Sequence, residues 1–223
     1  MMRNILLLLS MFLPWSLKYI VLKRIKGFCI SKKSYIGFSF IAPKELILEE
    51  GSSIGHFNIA IHLDRIILGK NSTIGRDNWI TGFPTGTSSK HFSHDKHRKS
   101  ELVIGQESSI TKKHHIDCTN TIKIGDFVTI AGYWSQFLTH SIDIYEGRQD
   151  SRPIIIGDYC FVSTNVTILG GSKLPDNSVL AAGGILCKKY DKEWTIYGGI
   201  PAKAIKEIPQ GAKYFSRETG FIY

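Results

Sequence analysis

The chain of 223 residues has only four cysteines, Cys29, Cys118, Cys160 and Cys187, and none of them stand in a C-x-x-C spacing. That usage gives no support to a disulfide framework or a zinc ribbon and fits free thiols in a reducing, cytoplasmic compartment. No nucleophile elbow surrounds a serine or cysteine, so nothing supports a covalent acyl-enzyme. Long apolar runs are missing as well. A spanning helix needs about 20 apolar residues, and Pro14 and Lys18 interrupt the one candidate. No small-residue cleavage site follows that stretch, which argues against a removed secretory signal. Acidic residues are absent from residues 1–34, where Arg3, Lys18, Lys23, Arg24, Lys26, Lys32 and Lys33 stand. These cations supply most of the formal net charge of +9. The rest of the chain is close to neutral, and no nucleic-acid partner is expected.

What is present is a repeat. Ile156, Val162, Ile168, Leu174, Leu180 and Leu186 fall at every sixth position, and four residues after the first five come Cys160, Val166, Ser172, Ser178 and Gly184. A period of six matches neither helix nor ordinary two-faced strand. It suits a chain that bends after each short strand, with one aliphatic per face pointing inward and a compact residue near each corner. Three faces make a coil of about 18 residues, and stacked coils form a parallel β-helix. The phase extends backward, with slips, through Ile130, Ile124, Ile116, Ile110, Ile104, Ile80, Ile74, Leu68, Ile54 and Leu48.

Three stretches stand outside that rhythm. Residues 1–33 are basic and apolar, and read either as an interfacial helix facing anionic lipid or as a cap over the open end of the solenoid. Residues 81–100 have no aliphatic period and are rich in Gly, Ser, Thr and His. A long irregular loop inside a compact domain is uncommon and often functional. His91, His94 and His97 lie there at spacings of three, but without a supporting ligand set a solvated loop over a substrate site is favoured over a metal centre. Residues 135–152 form the second interruption, where Gln136 replaces an expected aliphatic. His114, in a slot that wants a small side chain, breaks the local rule and reads either as functional or as a ring turned outward at a loosened corner.

The runs IGDYCFVSTNVTIL, SVLAAGGILCKK and GGIPAKAI resemble the C-terminal half of the hexapeptide-repeat acyltransferases, and the resemblance covers residues 34–208. The segment FVTIAGYWSQFLTHSIDIYEGRQDSRPIIIGDYCFV is similar to the polysaccharide-cluster O-acetyltransferases of that family. The resemblance implies an all-β, left-handed parallel β-helix with a short N-terminal helix and active-site loops. The domain would span residues 34–203, with residues 204–223 as a C-terminal tail. It also implies acetyl-CoA as cosubstrate, no metal, and direct attack of an acceptor hydroxyl within a ternary complex.

His140, where a coil leads into a polar loop, matches the position of the family's catalytic histidine. Its unperturbed pKa suits proton abstraction near neutrality. Asp143, Glu146 or a backbone carbonyl could orient it. His115 and Asp117, one coil earlier, are expected near it as acceptor-binding residues, together with Trp134 and Asp143. Ser163, Ala182 and Gly183 match positions that line the pantetheine arm, and Lys188 and Lys203 match basic positions that contact its phosphates. Gly184 and Cys187 depart from the commoner Ser and Thr.

The expected function is acetyl transfer to a sugar hydroxyl in surface-polysaccharide biosynthesis, in a homotrimer with shared sites and with membrane contact through the N-terminus. Trp79, Phe92, Tyr133 and Trp134 are the aromatics expected to face outward at its interfaces. The rival readings are an N-acyltransferase on an amino sugar, a γ-carbonic-anhydrase-like zinc enzyme using His114, His115 and His140, and a non-catalytic solenoid scaffold.

Overall fold

In the computed structural model, which describes residues 2–222, strands of two to six residues build three sheets with seven, nine and seven members. Apart from one inserted hairpin and the last two strands, each strand pairs in parallel with its counterpart one coil later, so the backbone turns after every strand and describes a three-faced coil. The aliphatics at the six-residue period become three inward columns. The first face stacks Ile30, Leu48, Leu68, Ile104, Ile124, Ile156 and Leu174. The second stacks Ile36, Ile54, Ile74, Ile110, Ile130, Val162 and Leu180. The third stacks Ile41, Ala60, Ile80, Ile116, Phe137, Ile168 and Leu186. All are buried. Each such side chain stabilises the fold by roughly 1.5–3 kcal/mol relative to exposure.

Gln136 does not break the stack. It faces outward, and Phe137 beside it takes the inward place between Ile116 and Ile168. The coil also begins earlier than the expected residue 34, because Phe28–Ile30 already pairs with Leu46–Leu48.

His114 is neither turned outward nor part of a site. Along the corner between the second and third faces, each inward side chain accepts the backbone N–H of the residue one coil on. Ser39 Oγ takes Asn58, Asn58 Oδ1 takes Asn78, and Asn78 Oδ1 takes His114. His114 Nδ1 then takes Ser135 at 3.2 Å, and Ser135 Oγ takes Val166. Acceptance at Nδ1 leaves the proton on Nε2, which donates to Thr111 Oγ1 at 3.0 Å. The ring is a rung in a ladder that satisfies buried amides, and burial lowers its pKa to about 4.

Two helices, α1 (Met2–Ser10) and α2 (Trp15–Lys23), replace the single helix expected and close the first coil. Leu7, Leu22 and Ile25 join the core, and the buried Lys18 donates to the carbonyl of Gly37 at 2.6 Å. Their inner side thus packs against the first coil. Their outer side leaves Ile5, Leu8, Leu9, Phe12 and Leu17 exposed. No helix among the described residues is long and apolar enough to cross a membrane.

At the other end, Ala202–Glu207 turns back antiparallel on Thr195–Gly199. The following residues then run down the outside of the coils. Tyr214 donates to the Cys160 carbonyl, Arg217 to that of Phe127, and the Gly220 amide reaches Glu107.

Candidate active site

Both irregular excursions leave the coil at the corner where the third face passes to the first. The first, residues 82–100, follows Trp79–Thr81; the second follows Gln136–Leu138. Between these two strands lies His115–Asp117, paired to both. The stack thus places the end of one strand, Asp117, directly between the roots of the two excursions.

The second excursion is a β-hairpin, His140–Asp143 against Arg148–Ser151, in place of an irregular loop. Its first residue is His140, whose Nδ1 lies 2.6 Å from Asp117 Oδ2. Asp117 is 3% exposed and accepts from every side: Thr119 N and Oγ1 bind Oδ1, while Thr139 N and His140 N bind Oδ2. A carboxylate so surrounded by donors is ionised. Burial pushes its pKa up, yet the hydrogen bonds from His140 and Thr119 outweigh burial and hold it below the usual carboxylate range.

The bond from His140 to Asp117 raises the imidazole pKa above its ordinary value, against the opposing effect of partial burial. Because Asp117 can only accept, Nδ1 carries the ring proton and Nε2 presents a lone pair. The ring is 44% exposed, and Nε2 has no hydrogen-bond partner among the described residues. Such a ring can accept a proton from a group that approaches from solvent.

The orienting group is therefore Asp117, expected as an acceptor-binding residue, and not Asp143 or Glu146. Asp143 sits at the hairpin turn, where it accepts the amides of Tyr145 and Glu146. It lines the same groove as His140 without touching the ring. His115 points outward from the middle of the third face, and Trp134 stands at that face's far corner with Arg76, Lys112, Lys113 and Tyr133. Neither lines a groove beside His140: Trp134 lies the length of the face away, and His115 stands two residues before Asp117 on its strand.

His140 stands between two grooves. One, of about 550 Å³, runs between the hairpin and the later coils and is lined by Leu138, Asp143, Arg152, Gly170 and Cys187 among others. The other, of about 290 Å³, lies toward the first excursion and is lined by Thr81, Phe83, His91, Phe92, Thr119 and Gln149 together with Asp117 and His140. The first excursion is tied down and not merely solvated. Arg98, nearly buried, donates to the carbonyls of Phe83 and Thr119 and lies over the rings of Phe83 and Phe92. Thr85 is held by Asp64. Phe92, expected to be outward-facing, is buried, and its ring meets His140 edge-on at 6.2 Å. Sequence reasoning missed Arg98 and Phe92; the one signal available was that Arg98 is the only arginine in that excursion.

The expected carrier residues form two groups. Ser163, Ala182 and Gly183 lie at the far corner of the third face, where Gly183 donates to the Thr164 carbonyl and an added Cβ would meet open space. Lys188 lies beyond the near end of that face, next to Cys187, over the ring of Tyr190. Tyr190 in turn reaches the carbonyl of Ala202, the neighbour of the exposed Lys203.

His114 in the interior ladder, His115 facing outward and His140 on Asp117 cannot share an ion. No group of three potential metal ligands occurs among the described residues.

No family model matches the sequence. The galactoside O-acetyltransferase of Escherichia coli (strain K12), however, is 32% identical over 148 residues, which cover 65% of this chain and 68% of that protein. The chain belongs to the hexapeptide-repeat acyltransferases. Solved structures share the fold of this acyltransferase at lower identity. The polySia specific acetyltransferase NeuO aligns with a TM-score of 0.54 at 21% identity, over 81% of this chain and 80% of that one. A hexapeptide transferase family protein from Anaplasma phagocytophilum aligns with a TM-score of 0.50 at 16% identity, over 82% and 87%. The chain is thus an acyltransferase and not a non-catalytic scaffold.

Proposed function

We propose that this acyltransferase moves an acetyl group from acetyl-CoA to a sugar hydroxyl, with His140 as general base. The observation that carries the reading is the 2.6 Å bond from His140 Nδ1 to a buried carboxylate, which leaves Nε2 unprotonated and facing two grooves. Nε2 takes the hydroxyl proton as the acceptor oxygen attacks the thioester carbonyl. The C–O bond forms, a tetrahedral oxyanion develops, and its collapse breaks the C–S bond. The imidazolium returns its proton to the departing thiolate, so the ring ends neutral. Asp117 stabilises the imidazolium between these two events.

A sugar acceptor is supported by the name of the Escherichia coli relative, a galactoside O-acetyltransferase. It is supported too by the aromatic wall of Phe83, His91 and Phe92 beside the amide of Gln149. The larger groove, opening toward Cys187 and the last coils, suits the uncharged pantetheine arm, with Lys188 and Lys203 toward its phosphates. In this reading the coil winds left-handed, as in the family, and the product belongs to surface polysaccharide. A second and third copy of the chain close the carrier groove, their contacts including the exposed Trp79, Tyr133 and Trp134. The exposed apolar side of α1 and α2, in a segment with seven cations and no acid, contacts an anionic membrane surface.

The direct test is acetyl-CoA turnover by the purified full chain on methyl galactoside and on its 6-amino analogue, read by mass spectrometry. Ester formation that depends on His140 supports the reading, and exclusive amide formation overturns its O-acetyl part.

A further inference from the structure

Beyond the smaller groove at His140, and sharing His91, Phe92 and Gln149 with it, lies a further hollow of about 300 Å³ lined by Lys90, His94, Ile142, Gly147 and Arg148. It contains no carboxylate. Lys90, His94 and Arg148 are exposed, and none has an ion-pair or side-chain hydrogen-bond partner among the described residues. Some cations elsewhere do meet an acidic side chain, among them Lys33, Lys44, Arg65, Lys173 and Lys192. No carboxylate near in sequence pairs with these cations. Asp95 accepts the amide of His97, and Asp143, the cross-strand partner of Arg148, accepts the amides of Tyr145 and Glu146. Neither Glu146 nor Asp150 lines the hollow. Two elements that are far apart in the chain, the first excursion and the hairpin, thus bring unpaired cations to one rim beside the catalytic ring.

We infer that the acceptor is an anionic sugar, whose acidic group rests on Lys90 and Arg148 while its hydroxyl reaches His140 Nε2. This deepens the assignment of the acceptor side and rests on it. Arg148 offers two parallel donors to a carboxylate or phosphate, and Lys90 adds a point charge across the hollow. The rim is wet, so the gain is modest: two exposed pairs favour the acidic sugar about three- to tenfold at low ionic strength, and salt erodes the preference.

The experiment uses the full chain and matched probes: methyl galacturonoside and N-acetylneuraminic acid, each against its own methyl ester, and galactose 6-phosphate against galactose. Binding is read by ligand-observed NMR without acetyl-CoA, and turnover is measured in parallel. The expected result is preference for the acid member of at least one pair. That preference should shrink at 0.5 M salt and disappear in K90Q/R148Q, through KM for the acceptor with kcat little changed. Uronate and phosphate arms tell the two acidic groups apart. Equal binding of acid and neutral members in all three pairs overturns the inference. So does a K90Q/R148Q variant whose KM rises for acetyl-CoA and not for the sugar, since the cations would then serve the carrier. Turnover that survives H140A unchanged would instead overturn the underlying assignment of the base, whichever sugar is preferred.

Discussion

Replacing Asp117 by Asn keeps the volume of the side chain and removes its charge. At the native position Oδ2 accepts from His140 Nδ1 and from the amides of Thr139 and His140, while Oδ1 accepts from Thr119. An amide has one accepting oxygen, so either the His140 side or the Thr119 side must face an NH₂ group. If the NH₂ faces His140, the ring turns to its other tautomer and Nε2 is protonated in the ground state. If it faces Thr119, the ring keeps its tautomer and loses the charge that stabilises imidazolium. A hydrogen bond to a charged partner contributes about 1.5–3 kcal/mol, which converts to roughly a 10- to 150-fold loss in kcat/KM, more if the tautomer flips. Asp117 also holds the His140 pKa above its ordinary value. The base works unprotonated, so in the wild type the acid limb of the kcat/KM profile lies above the ordinary histidine pKa, and in D117N it moves to lower pH while the plateau falls. The assay is a pH series of acetyl-CoA turnover with Tm measured alongside. A plateau within threefold of wild type and an unmoved acid limb would refute the role of Asp117.

H140A should lower kcat by about 10²–10⁴-fold and leave acetyl-CoA affinity unchanged by calorimetry; residual activity within threefold would move the base elsewhere. K203E should raise the KM for acetyl-CoA and leave the acceptor KM nearly constant, and a constant carrier KM would make Lys203 an ordinary surface charge. His114 is neutral in the fold, with a pKa lowered to about 4 against an ordinary 6.5. The unfolded chain therefore binds a proton that the fold refuses, and stability falls as pH drops from 6.5 toward 4, by roughly 3 kcal/mol over the window. H114N should flatten that part of the Tm–pH curve. Deleting residues 2–26 should give aggregated protein, because it uncovers the first coil; L9S/F12S should keep the fold and lose sedimentation with anionic vesicles.

The inward columns were legible because each coil repeats one requirement, an aliphatic on every face. The period survived two slips and failed only at Gln136, where the inward place passes to the next residue, Phe137. The position of His140 at the exit of a coil was legible. Asp117 was legible as a neighbour but not as its partner, since Asp143 and Glu146 were nearer in sequence and the stacking of coils outweighs sequence distance. His114 was misleading for a physical reason. A large polar ring in a corner slot looks like a broken rule until the whole ladder from Ser39 to Val166 shows that the slot asks for an acceptor of the next amide. Arg98 left almost no trace, because its contacts are to backbone carbonyls and aromatic faces that only the fold brings together.

The order of the excursions explains why the site falls where it does. Successive parallel strands lie about 4.8 Å apart, so an excursion on every coil at one corner would crowd itself out. Here the corner alternates: residues 82–100 leave after Thr81, the next coil turns tightly through residues 118–121, and the hairpin leaves after Leu138. The tight coil in the middle has no room for a loop, and it supplies Asp117. Its turn, closed by Thr119 on Asp117 and by Asn120 on Thr139, fixes the carboxylate against the rigid stack. The loops above and below then contribute what a rigid stack cannot: a ring at their edge with a free nitrogen, aromatic walls, and a rim of unpaired charge.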